Sequence, residues 1–140
     1  MSETRSPREV FLALINGVAA KQDPAEVAAL YADQTDVTHP FEPARAPALR
    51  TRDELREHFA RGRQVRGAFD RKAVDVIVHE TADPEVIIGE FTYDGTNTNT
   101  GEHVRIPSIF VMRVRDGLIV ESRDYTDPNA VVRAGGALRQ

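Results

Sequence analysis

The sequence predicts an α+β domain: a curved, mostly antiparallel sheet with helices packed on one of its faces. Three observations carry that reading. Three helix starts carrying a small polar cap with Glu three residues later fall in the first half of the chain, period-two runs rich in Val, Ile, Phe, Tyr and Thr fill the second half, and Asp116-Gly117 marks a tight hairpin between the last two runs. With 140 residues and 41% apolar content, the chain has the size and composition of one domain with a genuine core. No repeat, linker or second domain is evident over 1–140, and residues 1–6 and 130–140 are expected to be loose ends.

The helices come first. Ser6 with Glu9, Asp23 with Glu26 and Thr51 with Glu54 each set a small polar cap three residues before a glutamate that reaches back to the cap's own N–H. Pro7 and Pro24 follow the first two caps, where a missing N–H loses no hydrogen bond. The first helix, predicted over about 7–21, aligns Phe11, Leu14, Ile15 and Val18; the second carries Val27, Leu30 and Tyr31; the third pairs Leu55 with Phe59 and stops at Gly62. Strands are predicted at 35–41, 72–80, 85–94, 102–115 and 118–126, with a polar loop from Asp94 to Gly101. A proline-flanked segment, 40–50, is a candidate lid.

Composition removes several classes of function. No cysteine is present, so disulfides, thiolate metal sites and a thiol nucleophile are all excluded. The net charge of -4 argues against nucleic acid as a partner, and the nine basic residues between Arg45 and Lys72 are read as a solvated helix and loop. No run approaches the ~18 apolar residues that span a bilayer, so no membrane partner and a cytoplasmic location are expected. Phosphate-binding glycine loops, a serine nucleophile elbow and a dinucleotide fingerprint are absent, and the four histidines are too scattered for a metal cage; no cofactor and no metal are expected.

Strand parity locates a pocket. Leu118, Val120, Ser122, Asp124 and Thr126 share one face of the last strand, and Val104, Ile106, Ser108, Phe110 and Met112 share one face of the strand before it. Turned toward the helices, these faces make an apolar cavity with Ser108, Ser122 and Asp124 as its few polar anchors, the anatomy of a site for a small hydrophobic ligand. Phe59, Phe91, Tyr93, Ile106, Phe110 and Tyr31 complete the candidate substrate-binding set, Tyr31 being either a core residue or a hydroxyl aimed inward. His39 is the candidate base: a histidine and a carboxylate meeting in such a cavity make an acid/base pair working near neutrality. The alternative stays open that His39 is merely hydrogen-bonded at a strand end and Asp124 paired with Arg123 or Arg105. His58, His79 and His103 are expected in solvent, and Glu90 outward or in a subunit contact.

"LYADQTDVTHPFEP" (30–43), "TRDELREHFARG" (51–62) and "IFVMRVRDGLIVESRDYTDP" (109–128) resemble the nuclear transport factor 2-like superfamily, in particular its SnoaL-like polyketide cyclase, ketosteroid isomerase and limonene epoxide hydrolase branches. The resemblance implies a cone-shaped, cystatin-like barrel of curved sheet on three helices from the N-terminal half. It places His39 where the isomerases carry their catalytic aspartate before a proline, and Asp124 where the hydrolases carry one of theirs. The isomerases' oxyanion donors are replaced by Ile15 and Phe110, and "IIGEFTY" (87–93) lacks the hydrolases' Arg/Asp pair. What the resemblance implies is cofactor-free aldol cyclisation, isomerisation or hydration of a small oxygenated molecule such as a polyketide, or else a non-catalytic binding module of the same fold. The apolar second faces of 85–94 and 102–115, with Ile88, Ile109 and Val111, are expected to be covered in a homodimer.

Overall fold

The structure, a computed structural model, describes residues 4–135. Its elements run α1 (Pro7–Ala19), α2 (Pro24–Ala28), β1 (Tyr31–Thr38), β2 (Leu49–Thr51), α3 (Arg52–Val65), β3 (Phe69–Glu80), β4 (Val86–Asn97), β5 (Glu102–Arg115), β6 (Leu118–Thr126) and α4 (Pro128–Arg133). The strands form one sheet in the order β2-β1-β6-β5-β4-β3. All neighbours are antiparallel except β1 and β6, which run parallel with Val37 opposite Ser122 and Thr38 opposite Arg123. This is the expected α+β architecture of a curved sheet with helices against one face.

All three cap side chains accept a backbone N–H, but among the described residues only the first cap completes the expected reciprocal box with its glutamate. Ser6 Oγ accepts from the Glu9 N–H at 3.2 Å while Glu9 Oε1 accepts from the Ser6 N–H at 2.9 Å, closing the reciprocal box. Thr51 Oγ1 accepts from the Glu54 N–H at 3.1 Å, but Glu54 Oε1 reaches the N–H of Arg50 at 3.0 Å. Asp23 Oδ1 accepts from the Ala25 N–H at 2.8 Å. Between β5 and β6, Asp116 at φ 53° and Gly117 at φ 77° take the left-handed conformations a two-residue hairpin needs.

Several expected boundaries move. The second helix ends at Ala28, so Tyr31 opens β1 instead of closing a helix face, and β1 stops at Thr38, leaving His39 just past its end. Helix α3 continues through Gly62 to Val65, β3 starts at Phe69, and β4 runs on to Asn97, shrinking the polar loop to Thr98–Gly101. A short strand, β2, begins in the last two residues of the segment read as a lid and ends one residue beyond it. The parity along β6 breaks at Val120: Ile119, fully buried, faces inward before Ser122 and Asp124 do, because the β5–β6 pairing slips between Arg113 and Val114. Both ends expected to be loose include residues that carry structure. Ser6 caps α1, and α4 turns Ala130 and Ala134 into the core beside Phe69, Val104 and Ile106. The rest of the expected ends, 1–3 and 136–140, lies outside the described residues.

The main core forms where Val10, Phe11, Leu14 and Ile15 of α1 meet Ile87, Phe91 and Met112 of the sheet. Phe11, Phe91 and Phe110 stack edge to face, with centroids 5.1 to 6.3 Å apart. Burying each such ring contributes on the order of 2–3 kcal/mol. Gly89 makes the arrangement possible: a Cβ there would stand 2.2 Å from Phe11 Cζ, so the ring lies directly on bare backbone. Among the described residues no helix is long and apolar enough to cross a membrane.

Candidate active site

Between the helices and the inner sheet face lies a cavity of about 480 Å³, inside the range of sites that enclose a small organic molecule. Tyr31, His39, Phe59, Phe91, Tyr93, Ile106, Ser108, Phe110 and Asp124 all line it. Ser122 does not. It is almost completely buried behind Asp124 and donates its hydroxyl to Asp124 Oδ1 at 2.5 Å, supporting a wall group from outside the wall.

His39 and Asp124 are brought together by the parallel pairing of β1 with β6, which carries the residue after Thr38 to the flank of the residue after Arg123. Their separation, 3.7 Å from Nε2 to Oδ2, is an ion-pair contact longer than a hydrogen bond. Burial is the main influence on Asp124 and pushes its carboxyl above the usual range, against the opposing pull of His39 and of the Ser122 hydroxyl. The alternative pairing is not formed: Arg105 instead contacts Asp75 and Asp94 on the outer face. When His39 takes up a proton, Asp124 is positioned to hold the resulting imidazolium.

Tyr31 adds a donor. The residue is buried at 1% exposure, its hydroxyl makes no hydrogen bond among the described residues, and burial, then the charge of Asp124, then Tyr93 push its ionisation far up, so it stays a neutral O–H in the cavity wall. Tyr93, by contrast, donates to the Ile15 carbonyl at 2.9 Å and serves as wall. Ser108 and Thr126 sit 3.3 Å apart, hydroxyl to hydroxyl.

One functional neighbour contradicts the sequence reading. His58, expected in solvent, lines the cavity and stacks on His39 with ring centroids 5.1 Å apart and planes tilted by 33°. Its helix is so rich in arginine that one histidine on it carries no signal; only its position one turn from Leu55 and beside Phe59 hints at an inward edge. His79 and His103 do lie on the outer face, each 2.5 Å from a carboxylate, Glu90 and Asp94 respectively. Thr126, on the same strand face as Asp124, and the α4 residues Val131 and Val132 also line the cavity; Asp127-Pro128, the same cap-and-proline device as Asp23-Pro24, is the signal in the sequence for that helix. Among the described residues no three His, Asp or Glu side chains converge where a metal ion could be held.

Comparison with known proteins supplies the lineage. A family profile described as the SnoaL-like domain matches residues 11–122, which is most of the chain. The chain belongs to the SnoaL-like domain family. It is 37% identical over 97 residues, 69% of each chain, to an uncharacterised PhzA/B-like protein of Pseudomonas aeruginosa. A Bacillus subtilis structure provisionally described as an isomerase superposes with a TM-score of 0.81 at 24% identity, over 95% of this chain and 96% of that one. A Pseudomonas putida structure provisionally described as a polyketide cyclase gives 0.70 at 16% identity, over 94% and 99%. At those identities the two structures establish the SnoaL-like fold and nothing about chemistry.

Proposed function

We propose that this SnoaL-like chain is a cofactor-free acid/base enzyme acting on a small, hydrophobic, oxygenated molecule, removing an acidic C–H proton in an aldol cyclisation or an isomerisation, or a proton from the attacking water in a hydration. The observation that carries the reading is the pair His39 and Asp124, 3.7 Å apart in a wall that is otherwise largely aromatic and aliphatic. His39 takes the proton, Asp124 orients the ring and stabilises its cation, and the Tyr31 hydroxyl donates to the oxygen on which the enolate charge develops. Tyr31 fills the role left open by Ile15 and Phe110. The substrate rests on Phe59, Phe91, Tyr93, Ile106 and Phe110, with Ser108 as a polar contact.

The test needs no knowledge of the natural substrate. Aryl and bicyclic ketones whose α-protons exchange slowly in buffer are incubated with the protein in D₂O and followed by proton NMR. Protein-dependent exchange, slowed about tenfold to a hundredfold by Tyr31→Phe as one hydrogen bond to a charged oxygen is lost, is the expected result. Binding without exchange across the panel makes the chain a binding module and ends the enzymatic reading.

The reading includes a homodimer joined through the outer sheet face, each cavity lying mainly within one subunit. Ile77 and Ile109 are 52% and 42% exposed there, with Ile88 and Val111 beside them and the His79–Glu90 pair as a polar contact able to set the register. Ile109→Asp is expected to weaken association by roughly 3 kcal/mol, over a hundredfold in Kd, by desolvating an unpaired charge. Light scattering that gives a monomer mass at every concentration for the unmodified protein refutes the dimer.

A further inference from the structure

Among the described residues five cations line the cavity: Lys21, Arg61, Arg63, Arg66 and Arg71. Their situations differ. Lys21 is already engaged, 2.5 Å from Asp70 and 2.8 Å from the Gly67 carbonyl. Arg61 and Arg63 are exposed at the rim, and Arg66 has interactions of its own. Arg71 is the exception. It projects from the inward face of β3, half-buried, with no carboxylate within 4 Å among the described residues.

The surroundings hold this guanidinium in place without neutralising it. Its carbon lies 5.3 Å from the Phe69 ring centre and 5.4 Å from that of Tyr93, and Nη1 donates to the Phe69 carbonyl at 2.9 Å. The Nε and Nη2 edge is left without a partner among the described residues. Gly95, opposite Arg71 in the β3–β4 register, leaves room for its stem: a Cβ there would stand 2.8 Å from Arg71 Cβ and 2.0 Å from the Asp70 carbonyl oxygen. Desolvation disfavours the charged form of Arg71 in this position, yet arginine stays protonated in proteins, so the charge persists. A positively charged, pre-oriented fork in a partly dry wall matches a planar anion that binds two donors at once.

We propose that Arg71 anchors a carboxylate on the molecule this cavity accepts, making that molecule an amphiphile with an anionic tail and not a neutral hydrocarbon ketone. The inference rests on the acid/base reading only for the other end of the molecule. Arg71 stands in register with Gly95 and Val104, and Asp124 with Phe110; those β5 positions are six residues apart, roughly 20 Å along the strand at ~3.3 Å per residue, and β3 and β6 are separated by β4 and β5, so the two groups mark opposite ends of the cavity. Tyr93 lies between, electrostatically sensitive to both Arg71 and Asp124. The carboxylate then sits at the β3 end, the apolar body over Tyr93, Ile106 and Phe91, and the reacting carbon near His39. Asp124 and Glu42, the two acids of the lining, repel the anionic tail and fix the direction of entry.

The test compares ω-benzoylalkanoates, from 3-benzoylpropionate to longer homologues, with their methyl esters by isothermal titration calorimetry. The acid of best-fitting length is expected to bind about tenfold to a hundredfold more tightly than its ester, as hydrogen bonds to a charged group imply. Arg71→Met, which keeps an apolar stem against Phe69 and Tyr93, should bring that ratio to about one, and Arg71→Lys should leave an intermediate value because the charge remains and the fork is lost. Arg71→Gln serves if the methionine variant does not fold. Equal binding of acid and ester, no binding of any acid in the series, or a preference that survives the loss of Arg71 overturns the proposal. Acid preference without α-proton exchange would leave this anchor standing and remove the catalytic reading; exchange of neutral ketones with no acid preference would do the opposite.

Discussion

Replacing His39 by alanine is expected to lower α-proton exchange and turnover by roughly two to four orders of magnitude, the usual contribution of a positioned general base. Folding should be nearly untouched. His39 follows the end of β1, its side chain is a quarter exposed, and its main contacts are the His58 ring and the Asp124 carboxylate. A melting temperature within a few degrees of the parent's, together with partial recovery of rate on adding free imidazole, separates loss of the base from loss of structure. Unchanged turnover in His39→Ala removes His39 from the mechanism. The obvious rival is His58, stacked on it at 5.1 Å, and His58→Ala should then produce the larger loss.

Asp124→Asn is expected to lower turnover by about two to three orders of magnitude while making the protein more stable at neutral pH. Both effects come from burial. Because the native state disfavours the ionised carboxylate, native Asp124 holds its proton at a pH where the unfolded chain has released it. Stability is therefore fully present below the ordinary carboxylate range and is lost as pH rises through the elevated native value. Asparagine carries no charge to desolvate and can still accept from the Ser122 hydroxyl, so the variant keeps the hydrogen bond and avoids that loss. The melting temperatures of the two proteins should converge in acid and separate by a few degrees above it, the variant higher. A variant less stable than the parent at every pH would make Asp124 a structural acceptor for Ser122, and the claim of a carboxylate held for chemistry would fall.

The sequence exposes those features whose causes are local. Caps at Ser6, Asp23 and Thr51, the hairpin at Asp116-Gly117 and the inward placement of Phe91 and Tyr93 on one strand face each depend on residues a few positions apart, and each is present in the fold. Departures arise where distant partners decide. Tyr31 has a helix-compatible neighbourhood, but pairing with Ile119 draws it into β1. The slip between β5 and β6 turns Ile119 inward, against the alternation that Ser122 and Asp124 suggest. His58 and Arg71 belong to a segment whose composition reads as solvated, and only the packing of α3 on the sheet and the pairing of β3 with β4 make them walls. For the site, residue types and a resemblance single out His39 and Asp124, whereas their 3.7 Å contact and the unpaired fork of Arg71 exist only after folding.

The one parallel pairing in the sheet has a kinetic consequence. His39 and Asp124 are 85 positions apart, and they become neighbours only when β1, near the start of the chain, docks beside β6, near its end. Local hairpins such as β5–β6 can close as soon as they emerge, but this contact requires a loop most of the chain long and is expected among the slowest to form. During synthesis the reactive pair therefore stays separated until β6 has been made, so a nascent or truncated chain lacking β6 carries an imidazole with no Asp124 carboxylate beside it. Appearance of activity after refolding should lag the growth of sheet signal, timing the docking of the first strand against the last.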